Sequence, residues 1–248
     1  MIAQGRWPVI SALGIVQILA WGCSYYLLTV LGPSIAAETG WGLPWIFGSL
    51  TAGMLVAGAV APTAGRMIGR HGGRPVLAVS TGLMTVGLVL LALAPNLPVF
   101  GLAWLVIGAG MGSGLYDAAF ATLGRLYGAD ARPAITALTL WGGFSSTLCW
   151  PLSAFLLAHL GWRGTCLTYA ALETAVCLPL ILGLVPPEDQ RQAHGGLQGR
   201  VGQAGAAPAE MREQEGRERP AQGAGEPAPQ GQRGDRRARV GAVETPEG

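Results

Sequence analysis

The chain has 248 residues, of which 50% are hydrophobic and 12% charged, with 39 glycines; a soluble domain carries about twice that share of charge, so this composition excludes one. Every base is an arginine, and the formal net charge of +2 matters less than its distribution. Up to Val185 there are seven arginines and four acids, and beyond it nine arginines and ten acids.

The first apolar stretch, about Val9 to Leu31, is too long for the core of a signal peptide and reads as an uncleaved helix that Gly32-Pro33 ends. Further spans are expected at about Trp45 to Ala64, Val76 to Ala94, Leu97 to Leu123, Ile135 to Leu160 and Gly164 to Val185. Each has the roughly 20 residues that cross about 30 Å of hydrocarbon at a rise of about 1.5 Å. Between the second and third lies Gly65 to Pro75, a glycine-rich run with Arg66, Arg70 and Arg74 that reads as a tight turn joining two helix ends. Arg6, these three arginines, Arg125 and Arg132 fall on one side, against Arg163 on the other. The excess of arginine places that side, with both termini, in the cytoplasm. Trp7, Trp41, Trp45 and Trp162 sit near span ends, where an aromatic belt is expected.

After Pro186-Pro187 the composition changes to Gly, Ala, Pro, Gln, Arg and Glu, with no aromatic residue beyond Tyr169. Such a segment buries too little apolar surface to offset its ordering entropy, so 186–248 is expected to be disordered. A native tail and an out-of-frame product both fit it. The ordered domain is expected over 1–185.

Two acids lie within spans, Asp117 and Glu173. A charge in hydrocarbon is costly, so each is expected to face the bundle interior or a wet cavity, or to carry a proton. For Asp117 an ion pair towards Arg125 is an equal alternative, whereas Glu173 has no base nearby in sequence and is the better proton carrier. Gln17, Trp21 and Tyr25 share one face of the first helix at spacing four. They line a solute path or form a polar seam between helices; both readings stand. The run Gly108 to Gly114 has small residues at spacing four, which close helix packing explains without a ligand. The four cysteines, Cys23, Cys149, Cys166 and Cys177, have no metal-ligand spacing and read as small buried residues. No metal, cofactor or nucleic-acid partner is expected.

The run from Gly65 resembles the loop between helices 2 and 3 of the major facilitator superfamily, whose pattern is G-x-x-x-D-[RK]-x-G-[RK]-[RK]. Gly65, Arg70, Gly72 and Arg74 fall on matching positions, while Gly69 stands where that family has an acid and Gly73 where it usually has a base. The turn Gly161-Trp162-Arg163-Gly164 is also similar to what many members carry before the sixth helix, and the glycine-rich fourth helix with Tyr116-Asp117 is similar to bacterial monocarboxylate or organic-anion porters. The fifth span lacks the Gly-Pro motif of drug/proton antiporters.

The fold that the resemblance implies is an all-α membrane protein of six transmembrane helices, the N-terminal half of a superfamily transporter, followed by the disordered tail. It implies secondary transport of a small solute, an organic anion or monocarboxylate, by alternating access coupled to protons, in a bacterial inner membrane. Gly65, Arg70, Gly72 and Arg74 would form the gating loop, and Gln17, Trp21, Tyr25, Tyr116, Asp117 and Glu173 the solute or proton path. The partners would be lipid, the solute, and a second six-helix half or a second copy. The alternative is a truncated chain that does not transport. An intramembrane protease is disfavoured: an aspartyl mechanism needs a second aspartate on a facing span, and Ser113 lacks the first glycine of a G-x-S-G motif.

Overall fold

A computed structural model describes residues 7–187 of the chain, and these are almost entirely helical. Arg6 and the segment from 188 onward, including nearly all of the expected tail, lie outside the described residues. In chain order the helices are α1 (Trp7–Cys23), α2 (Leu27–Thr39), α3 (Leu43–His71), α4 (Gly73–Ala92), α5 (Leu97–Gly114), α6 (Tyr116–Tyr127), α7 (Ala131–Gly143), α8 (Ser145–Leu172) and α9 (Leu178–Leu184). A 3-10 turn, Gly128–Asp130, joins α6 to α7, and a π-turn, Glu173–Cys177, joins α8 to α9. Long apolar runs become helices because hydrocarbon offers the backbone no other hydrogen-bond partners.

The expected six separate spans, half of a superfamily fold, are not what forms. Among the described residues, four helical segments are long and apolar enough to cross a membrane: Trp7–Thr39, Leu43–His71, Gly73–Ala92 and Leu97–Leu184. That is a third rather than a half of a twelve-helix superfamily fold. The difference arises where loops were expected. Residues 124–134 continue in helical or 3-10 conformation, and Gly161 (φ 67°) turns the backbone while the residues on both sides stay helical, so 97–184 is one segment interrupted at Leu115, Gly128, Phe144 and Gly161. Similarly, the run from Gly65 to Pro75 is not a loop. α3 continues to His71 and α4 begins at Gly73, leaving Gly72 (φ 87°) as the whole connection, with its N–H bonded to the Ile68 carbonyl at 2.9 Å.

The glycines of α5 let three helices meet. On one face a side chain at Gly108 would strike the Gly53 carbonyl of α3, and one at Gly112 the Ala57 carbonyl. On the other, Gly110 and Gly114 receive Met84 and Ser80 of α4, whose hydroxyl donates to the Gly110 carbonyl at 2.8 Å. Backbones approach this closely only where no Cβ intervenes.

Side-chain bonds tie the ends of the bundle. At one end Arg125 of α6 donates to the Gly69 carbonyl at 2.8 Å, and Arg74 of α4 donates to the Leu182 carbonyl of α9. At the other, Arg163 donates to the Ala92 carbonyl at 2.7 Å and the Ala94 carbonyl at 3.3 Å, caps α4, and pairs with Glu38 at 3.5 Å. The aromatic belt is smaller than expected: Trp7 and Trp45 are exposed, but Trp162 is fully buried beneath the Arg163 guanidinium and Trp41 packs edge-on against Phe100. All four cysteines are buried free thiols.

Candidate functional site: an aromatic cavity at the helix breaks

Three interruptions lie side by side. Between α1 and α2, residues 24–26 form a turn in which the Tyr26 N–H reaches back five residues to the Trp21 carbonyl at 3.2 Å. Between α5 and α6, Leu115 is extended (φ −73°, ψ −164°). Between α7 and α8, the backbone breaks at Phe144 just after Gly142-Gly143. Breaks of this kind release backbone polar groups that must find new partners. One such partner is Gln17: its Nε2 donates at 2.9 Å to the carbonyl of Gly114, the last residue of α5.

A cavity of about 580 Å³ opens here, lined by Trp21, Tyr25, Tyr116 and Asp117 together with Met54, Met111 and small residues of α3 and α5. That volume falls in the range of small-molecule sites. The rings hold one another: Trp21 lies 5.3 Å from Tyr116 and 5.7 Å from Tyr25, and Tyr116 stacks on Phe120 at 5.2 Å. Gly142 of α7 leaves the room that the Tyr116 phenol fills; a side chain there would strike its hydroxyl. The buried indole N–H of Trp21 has no hydrogen-bond partner among the described residues. The wall contains one carboxylate, Asp117 in the first turn of α6, and no base among its lining residues.

Of the candidate path residues, Trp21, Tyr25, Tyr116 and Asp117 are thus brought together. Gln17 is not on the wall; it is fully buried behind it, supporting the α5 terminus. Glu173 is elsewhere, 1% exposed in the π-turn, where its Oε1 accepts from the Cys23 thiol at 3.4 Å. Asp117 forms no ion pair with Arg125 in this arrangement, since Arg125 reaches the α3 terminus instead. Of the loop-motif residues, Gly72 makes the reversal, Arg74 bonds α9, and Gly65 and Arg70 lie on exposed surface of α3. Gly69 offers Arg125 its backbone carbonyl where the family pattern has an acid, and Gly73 packs so tightly on Thr122 that a side chain there would collide with it. Met54 was missed from sequence, and Gly142 was read there only as part of a bend with Gly143; that Gly142 makes room for Tyr116 is revealed by packing alone.

Apolar segments of spanning length, internally bonded backbone and a solute-sized cavity at helix breaks define a multi-pass membrane protein of the transporter kind. The sequence model of the Major Facilitator Superfamily matches residues 12–223, and the chain belongs to that superfamily. Its members are transporters and not enzymes. The chain is 36% identical over 182 residues to "Monocarboxylate transporter 11" of Homo sapiens, covering 68% of this chain and 37% of the relative. With the protein of the same name from Mus musculus it shares 33% identity over 199 residues, 70% of this chain and 42% of the relative. It therefore spans about two fifths of the length of these curated relatives.

Proposed function

We propose that the chain moves a small solute across the membrane through the cavity at Trp21, Tyr25, Tyr116 and Asp117, by alternating access against a second bundle. The meeting of these four residues in one solute-sized cavity at the helix breaks carries the reading. Alternating access needs an element that rocks around a fixed site. The single-residue connection at Gly72, with Gly65, Arg70 and Arg74 around it, is the proposed gate.

The proposed solute is a monocarboxylate, taken up with a proton. One observation supports it: the name borne by the relatives. The proposed setting is a bacterial inner membrane with the arginine-rich end in the cytoplasm, an orientation that the excess of positive charge at that end supports.

The test is uptake of a labelled short-chain monocarboxylate into proteoliposomes, driven by an acid exterior, with the chain alone and with a complementary C-terminal bundle. Uptake that follows the proton gradient and drops about ten- to a hundredfold in Asp117→Asn, the worth of one charge-assisted hydrogen bond, is the expected result. Uptake indifferent to Asp117 and to pH overturns the assignment.

A further inference from the structure

Glu173 lies outside the cavity, yet two irregularities converge on it. Its own turn is wide: the Leu178 N–H bonds five residues back to the Glu173 carbonyl. The opposite turn is wide in the same sense, with Tyr26 bonded five residues back to Trp21. Such π-type turns are rare and concentrate at functional positions. Cys23, the last residue of α1, links the two by donating its thiol to Glu173 Oε1 at 3.4 Å, and it also touches the Met84 sulfur at 3.8 Å. On either side of Cys23 stand Trp21 and Tyr25, both in the cavity wall.

The surroundings of Glu173 make its charge matter. Its hydrogen-bond partner is the thiol of Cys23, a weak donor, and Cys177 stands in the same turn. From the packed elements, α1 presents Cys23 alone and α9 presents no titratable group. The only charged residue of α4, Arg74, is at the start of that helix and bonded to Leu182. α8 contributes Tyr169, which bonds Ser153, Cys149, which bonds the Ile18 carbonyl, and the buried thiol of Cys166. Its His159 bonds the Phe155 carbonyl, and its Arg163 is held by Glu38 and the end of α4. Arg74 and Arg163, the arginines of the packed elements, are both held elsewhere, so an ionised carboxyl here lacks an ion-pair partner and a protonated one fits the site.

We propose that the two wide turns, joined through Cys23 and Glu173, form a proton-operated hinge that sets the positions of Trp21 and Tyr25 in the cavity wall. With the carboxyl protonated, the turns lock together. When the proton leaves to water, the buried charge must be hydrated; water competes with the weak Cys23 thiol for the carboxylate oxygens, and the segment around 24–26 opens to admit it. Glu173 is thus a positioning residue, acting on the cavity through α1 rather than touching solute.

The test needs no solute, so its outcome is separate from whether the chain transports one. Amide hydrogen exchange is measured on the full chain in lipid nanodiscs between about pH 5 and about pH 9, the range that buried carboxyls reach. After correction for intrinsic exchange, residues 20–27 should lose protection at least about fivefold as pH rises, while residues 104–111 of α5 do not respond. Glu173→Gln, a neutral isostere, should hold residues 20–27 at their low-pH protection throughout. A flat profile in the unaltered chain, or a rise that persists in Glu173→Gln, overturns the hinge. Should Glu173→Gln fail to insert, Cys23→Ala decides: an undiminished pH response without the thiol link is equally fatal to it.

Discussion

Tyr116 shows how a residue far from suspicion sets a functional one. Its phenol occupies space that Gly142 vacates, and its ring bridges Trp21 and Phe120. Gly142→Ala should push the ring out of this position, at a cost of about 1–3 kcal/mol for the overpacking, and weaken solute binding without altering any lining residue. Binding measured by fluorescence of the Trp21 region, against the thermal stability of the same variant, separates the two effects. Gly69 offers the opposite case, because a side chain there meets nothing within 4 Å while its carbonyl already holds Arg125 at 2.8 Å. Gly69→Asp should add a partly exposed ion pair worth at most about 1 kcal/mol, visible as a small rise in melting temperature that salt abolishes. The sequence names the charges in both regions but not their partners, since a hydrogen bond between Arg125 and a backbone carbonyl 56 residues away leaves no pattern in composition.

At the scale of the element, the glycines of α5 have two duties that their spacing hints at and packing separates. Gly108 and Gly112 admit α3, and Gly110 and Gly114 admit α4. Because the obstacle at Gly108 is backbone, it cannot move aside as a side chain would. Gly108→Val should therefore part α3 from α5 and cost at least about 3 kcal/mol, whereas the same change at Gly58 of α3, where nothing lies within 4 Å, should be tolerated. Detergent stability of the two variants, measured side by side, checks the contrast. Small residues at spacing four made this packing legible in the sequence. The interruption at Leu115 was not legible, for leucine breaks no helix by itself; the break forms because Gln17 takes the freed Gly114 carbonyl and α6 turns to pack on α4 and α7. Nor did residues 24–26 announce themselves, having neither glycine nor proline.

For the whole molecule, charge divides between two ends: Arg66, Arg70, Arg74 and Arg125 at one, Glu38 and Arg163 at the other. If the first end faces the cytoplasm, a reporter active only outside it should work when inserted at Pro95-Asn96 and stay silent at Gly128-Ala129; the reverse result overturns the orientation. The sequence by itself determined that the chain is helical and membrane-embedded, because long apolar runs have no other way to satisfy their backbone in hydrocarbon. It also named Gln17, Trp21, Tyr25, Tyr116, Asp117 and Glu173 as polar residues within the spans, of which the cavity gathers Trp21, Tyr25, Tyr116 and Asp117. Hydropathy did not determine how the segments divide, and the expectation of six spans gave way to four apolar helical segments because turns such as Gly72 and Gly161 are made within or between nearly continuous helices. Only the tertiary structure decided that Gln17 supports the cavity while Glu173 faces Cys23 away from it. Helical spacing fixes the face on which a residue stands, but what that face meets depends on neighbours brought from distant parts of the chain.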